Sequence, residues 1–164
     1  MMQSRNKRVA YVGIMACLGI IFGYIEFILP INIGIPGVKL GLSNIVSVVA
    51  LYILGLPYAL IITVIRIVIS SLLFGNLFSM FYSLTGALFS VFTMACFRRF
   101  NCFSIIGVSS AGGIVHNIGQ LLVAVCVVDS LNLFFYFPIL VFSGLVAGIL
   151  IGLLSKIICG RIKI

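Results

Sequence analysis

Residues 9–157 form a succession of apolar runs, most of them near the length of a bilayer crossing, separated by short breaks. The breaks fall at 30–37, 55–57, 75–76, 98–104 and 129–132, where Pro, Gly, Asn, Asp, Ser or Arg interrupt the pattern. Because a membrane helix needs about 20 predominantly apolar residues, the breaks predict six helices near 9–29, 40–54, 57–74, 78–97, 106–128 and 134–157. The fold class expected is therefore an all-α integral membrane protein, a six-transmembrane-helix bundle in a single domain over residues 1–164. The second run is short. A helix of about 15 residues reaches only about 22 Å, so it is expected to begin partway into the membrane, from a loop that dips inward.

Charge supports this reading and excludes a soluble one. Ten Lys or Arg and two Asp or Glu are the only charged side chains among 164 residues, 63% of which are hydrophobic. A soluble domain carries roughly 25% charged residues to coat its surface, so lipid must be the solvent for most of this exterior. The basic excess is not a nucleic-acid surface, because it sits in anchoring positions. Arg5, Lys7 and Arg8 precede the first run, Arg98 and Arg99 fall between runs, and Lys156, Arg161 and Lys163 follow the last. With six spans and an inside N-terminus, all three clusters lie on the cytoplasmic side and Asp129 lies outside. The chain is thus expected in the cell membrane, multi-pass, with both termini cytoplasmic. The N-terminal run continues through Leu29 without a small-residue cleavage site, as a retained helix does rather than a signal peptide. Five cysteines, odd in number and without a C-x-x-C pair, read as reduced packing residues.

Polar groups inside hydrocarbon are costly and must be packed, paired or exposed to a watery cavity. Here they gather in the half of the membrane assigned to the outside: Glu26 in helix one, Lys39 and Asn44 at the start of helix two, Arg66 in helix three, Asn76 after it, and His116, Asn117 and Gln120 in helix five. That asymmetry predicts a polar cavity opening outward, with these eight residues as ligand-binding candidates. Gly112, His116, Gln120 and Ala124 recur every four residues and share one face. Two roles are open to His116 and Gln120, ligand contact or interhelical hydrogen bonding. Arg66 and Lys39 against Glu26 leave a surplus cation, and a fixed positive charge in low dielectric is costly unless an anion visits it. A small anionic or amphipathic molecule is the ligand this implies. The Pro- and Gly-bearing loop at 30–37 reads either as a lid or as a plain connection.

Small residues mark close helix approaches: Gly144, Gly148 and Gly152 in helix six, Ser79, Ser83, Gly86 and Ser90 in helix four, and Ala10, Gly13, Ala16 and Gly19 in helix one. The last set also offers a docking face for another membrane protein. Catalysis has little to use. No P-loop, metal-ligand cluster or nucleophile with a positioned base is present, so no enzyme activity, metal or cofactor is expected.

Several long motifs carry a resemblance: Ile35-Pro-Gly-Val-Lys-Leu-Gly-Leu-Ser-Asn44, Arg66 with Ser71-Leu-Leu-Phe-Gly75, Ser83-Leu-Thr-Gly-Ala87, His116-Asn-Ile-Gly-Gln120, and Tyr136 with Pro138 and Gly144. Together they resemble the Gx transporter family, also labelled heptaprenyl diphosphate synthase component I, over nearly the whole chain. That family is similar to the substrate-binding S components of energy-coupling factor transporters, small six-helix proteins that hold a vitamin-like ligand and dock on a transmembrane coupling protein powered by ATPases. The resemblance implies docking through the Ala10, Gly13, Ala16 and Gly19 face and a ligand such as a flavin, a quinone precursor or a prenyl phosphate. The synthase label implies instead an accessory membrane subunit in isoprenoid quinone metabolism or quinone-linked electron transfer. A catalytic prenyl diphosphate synthase needs aspartate-rich clusters to hold magnesium, and Asp129 is the single Asp here.

Overall fold

The computed structural model describes residues 2–29 and 41–162, and all secondary structure among them is helical. Six α-helices follow in order: α1 (Met2–Ile28), α2 (Leu42–Ile53), α3 (Leu56–Phe74), α4 (Leu77–Arg99), α5 (Ile105–Val128) and α6 (Phe137–Arg161), with a 3-10 helix at Leu131–Tyr136 leading into α6. Five of them are long and apolar enough to cross a bilayer, which marks a multi-pass membrane protein. The exception is α2, whose 12 residues span about 18 Å. The loop at 30–37 and Lys39 lie outside the described residues.

Helix ends depart from the apolar pattern for identifiable reasons. α1 begins at Met2 rather than near residue 9, because the helix continues beyond its apolar stretch through the polar N-terminal residues, of which Lys7 and Arg8 are exposed. α4 continues through Arg98 and Arg99, cations that suit the negative end of the helix dipole. The start of α6 moves the other way, from 134 to Phe137, since the preceding residues wind as a 3-10 turn. Asn76 accepts the Ser79 N–H at 2.7 Å and Ser104 accepts the Gly107 N–H at 3.2 Å, satisfying orphan donors of α4 and α5. Gly55, with φ of 90°, makes the abrupt turn from α2 to α3 that a Cβ would strain.

The helices follow one another as neighbours in the order α1, α3, α4, α5, α6, and α2 packs against four of these, α1, α3, α4 and α6. The short helix is thus the centre of the molecule. Its residues Ile45, Val46, Ser47, Val48, Val49, Ala50 and Leu51 are all buried, and they join Ala59, Ile62, Val91, Met94, Val108 and Ile151 in the core. The lipid-crossing helices instead leave large apolar side chains outward, among them Leu72, Phe81, Phe92 and Phe142. Four of the five cysteines are exposed and all are free, so they face outward rather than packing inside; only Cys159 touches the core.

Small residues decide how closely α5 approaches its neighbours. A Cβ on Gly148 would lie 2.7 Å from the Ser110 Cα, and one on Gly152 equally close to the Ile106 Cα, while Gly113 meets the backbone of Gly144. Backbone here touches backbone. On its other side α5 meets α4, where a Cβ on Gly86 would sit 2.7 Å from the His116 carbonyl oxygen. Gly113→Leu should therefore force α5 and α6 apart and cost about 1–3 kcal/mol, the range for overpacking. Gly13, with nothing within 4 Å of its would-be Cβ, should accept Ala within about 0.5 kcal/mol. Thermal melts of both variants in one detergent check the contrast.

Candidate functional site

A helix leaves four N–H groups at one end and four carbonyls at the other without intrahelical partners, and these need partners wherever the bundle excludes water. The polar residues around α2 answer this need. At its start, Gly41 adopts φ of 74° and donates its N–H to Glu26 Oε1 at 2.6 Å, while the Ser43 N–H reaches Oε2 at 3.4 Å. A carboxylate at a helix N-terminus is favoured by both hydrogen bonding and dipole. At the far end, the Arg98 guanidinium donates to the carbonyls of Leu51 and Tyr52, and its carbon lies 4.9 Å from the centre of the Tyr52 ring. Glu26 comes from α1 and Arg98 from α4, so the central helix is closed at each end by a charge of the appropriate sign.

Arg66 supplies the third attachment. From α3 it donates through Nη1 to Ser43 Oγ at 2.9 Å, through Nη2 to Asn44 Oδ1 at 2.6 Å, and through Nε to Ser47 Oγ at 3.4 Å. Ser47 in turn shares a hydrogen bond of 2.8 Å with Thr63, three residues before Arg66 on the same helix. Ser43 joins the two charges, since its N–H serves Glu26 and its hydroxyl serves Arg66. The arginine is 5% exposed, and the acceptors of its hydrogen bonds are neutral oxygens. Gly19 makes room for it: a Cβ there would lie 2.8 Å from Arg66 Cδ.

The structure brings together Glu26, Asn44 and Arg66 of the eight ligand-binding candidates. Lys39 falls outside the described residues. Asn76 is exposed and caps α4. Asn117 turns to α6, where Nδ2 donates to the Leu140 carbonyl at 2.8 Å and to Ser143 Oγ at 3.1 Å. His116 and Gln120 face α4 at Gly86, whose would-be Cβ would stand 2.8 Å from Gln120 Cγ and 3.4 Å from His116 Cε1. They occupy the α4–α5 seam, whereas the Arg66 cluster belongs to α1, α2 and α3. The four small residues of α1 divide likewise: Ala16 and Gly19 are buried within the chain, while Ala10 and Gly13 are exposed.

Ser43, Ser47 and Thr63 are the site residues that sequence reasoning passed over, and Arg98 was read as a cytoplasmic anchor alone. The signal was present. Ser43 and Ser47 stand four apart in an apolar run, and Thr63 and Arg66 three apart, so each pair shares a helix face. Among the described residues there is no group of three or more His, Cys, Asp or Glu placed to hold a metal ion.

The closure of α2 is testable. Glu26→Ala removes a charged acceptor from two backbone donors and should lower stability by about 1.5–3 kcal/mol; Glu26→Gln, which keeps one carbonyl oxygen for Gly41, should lose less. Denaturation in detergent measures both, and equal stability of Ala and wild type would show that the cap carries no weight.

Comparison with known proteins gives one match. A family model described as heptaprenyl diphosphate synthase component I covers residues 15–158. No curated protein and no solved structure matches the chain.

Proposed function

The chain belongs to the heptaprenyl diphosphate synthase component I family, and on that premise we propose that it is a non-catalytic membrane subunit that binds a small anionic or amphipathic molecule, as the substrate-binding subunit of a transporter does. One observation carries the proposal. A guanidinium buried to 5% exposure donates its hydrogen bonds to the neutral oxygens of Ser43, Asn44 and Ser47, while Glu26, engaged with the start of α2, is the carboxylate whose charge acts on it. A buried cation whose hydrogen-bond acceptors are neutral favours an anion in low dielectric. A guanidinium also matches carboxylate and phosphate in a way that an ammonium does not. Glu26, Asn44 and Arg66 are the contacts assigned to the ligand, and Lys39 is assigned to it from the sequence. Flavins, quinone precursors and prenyl phosphates all fit this chemistry. In the transport reading, the exposed Ala10 and Gly13 end of α1 is the part of the small-residue face left for a coupling protein with its ATPases.

A second reading is favoured by the family description itself: an accessory membrane subunit in heptaprenyl diphosphate metabolism, recruiting enzymes while doing no chemistry. The lone Asp129 supports the absence of chemistry, because a diphosphate-bound magnesium needs clustered carboxylates. The two readings meet in a prenyl diphosphate, which is both anionic and amphipathic. They part in what co-purifies, a transmembrane coupling protein or a prenyl-transferring enzyme.

Mass spectrometry of small molecules released from the purified protein, followed by titration with a panel of prenyl diphosphates, flavins and quinone precursors, tests the binding. Arg66→Lys should remain folded and extractable and lose at least about tenfold in affinity, or about 1.4 kcal/mol. His116→Ala and Gln120→Ala, at the α4–α5 seam, should lower the melting temperature and leave affinity within about twofold. Binding unchanged in both Arg66→Lys and Arg66→Gln would reduce Arg66 to a fastener of α2.

Topology supplies an independent check. With α2 counted as a sixth, partial span, all basic clusters fall on the cytoplasmic side. Both termini should then be cytoplasmic and position 129 extracytoplasmic. Cysteine labelling of intact cells, after replacement of the native thiols, reads this directly; labelling of position 129 from the cytoplasm alone would overturn it.

A further inference from the structure

The end of α2 opposite Glu26 carries a feature that the ligand reading does not use. A cleft of about 190 Å³ opens there, lined by Leu51 of α2, Leu56 of α3, and Ala95, Arg98 and Arg99 of α4. Its walls are of two kinds. Leu51, Leu56 and Ala95 are apolar, and the two arginines stand side by side at the end of a membrane-crossing helix.

The electrostatic balance is positive although α2 ends here. A helix C-terminus presents about −0.5 of an elementary charge. Arg98 faces it with a full positive charge, held by the Leu51 and Tyr52 carbonyls and stacked on the Tyr52 ring. These two carbonyl bonds account for two of its five N–H donors. Arg99 is exposed and adds a second cation. α4 ends here as well and contributes about another −0.5, so the sum is an excess of about +1 beside apolar walls. Phe92 of α4 and Phe100, which follows its last residue, are 49% and 69% exposed, so large aromatic side chains stand exposed on either side of the arginines in the chain.

We propose that this cleft is a binding site for the phosphate headgroup of an anionic phospholipid, with Arg98 fixed by α2 and Arg99 exposed beside it. A soluble anion would gain nothing from three apolar walls and exposed aromatic side chains, whereas a lipid uses both the charge and the hydrocarbon. The site therefore couples lipid to the central helix, because the arginine that meets the headgroup is the one that closes α2. The proposal is independent of the anion assigned to Arg66 and of the side on which the cleft lies.

Native mass spectrometry of the full chain in detergent tests it, with dioleoyl phosphatidylglycerol and dioleoyl phosphatidylcholine added at equal concentration. The phosphatidylglycerol adduct should be retained at least about fivefold more strongly, as expected for one or two arginines near a headgroup. Arg99→Gln, which spares the α2 closure, should remove most of that preference. Ala95→Trp, which fills the cleft and changes no charge, should lower retention of phosphatidylglycerol as well. Equal retention of the two lipids, or full retention of phosphatidylglycerol in both variants, would overturn the proposal. Competition by glycerol 3-phosphate as effective as that by the lipid would also overturn it and reassign the cleft to a soluble anion.

Discussion

A short helix buried at the centre of a membrane bundle has unpaired backbone groups at both ends, and everything distinctive about this chain follows from satisfying them. An N–H or carbonyl left bare in hydrocarbon costs several kcal/mol, so α2 could not rest where it does on packing alone. Glu26 from α1 and Arg98 from α4 close the two ends with charges opposed to the helix dipole. Arg66 from α3 then fixes the first turns through side chains that α2 itself supplies. Three of the helices that pack on α2 thus each commit one ionised residue to it. In a chain with twelve charges, that is a large share.

The two sides of the molecule are held by different forces. Between α4, α5 and α6, glycines bring backbones together, so attraction comes from close van der Waals contact and costs little side-chain entropy. Around α1, α2 and α3, hydrogen bonds to Glu26 and from Arg66 add to the apolar packing of α2. The anion proposed above would act on the polar side, where it would compete for the same donors that position α2.

Much of this architecture was legible in the sequence, because lipid imposes a simple code. Apolar runs located all six helices, and Gly144, Gly148 and Gly152 correctly marked the face against α5. What the apolar pattern could not reveal was the role of a short run. Near 40–54 it read as a deficient span, yet the structure makes the same residues the hub, a fact that depends on which helices surround it. Glu26 and Arg66 were visible as costly residues, but their partners Ser43, Ser47 and Thr63 were not, since serine and threonine in membrane helices usually satisfy themselves on their own backbone. Arg98 misled for a different reason. Its position obeys the rule for cytoplasmic anchors, and one residue can serve both as an anchor and as a cap. His116 and Gln120 share a face with Gly112, as the spacing required; only the packing at Gly86 shows that the face meets α4.

The placement of Arg98 also bears on how such a chain comes to be assembled. Synthesis runs from the N-terminus, and Arg98, which donates to the terminal carbonyls of α2, comes 45 positions after Ile53, the last residue of that helix. Glu26 is made before α2 and can meet it at once; Arg98 is made two helices later. Until α4 has been made, the far end of α2 has no Arg98 guanidinium to turn to. The two ends of the central helix therefore gain their charged partners at different times in synthesis, the Glu26 end first.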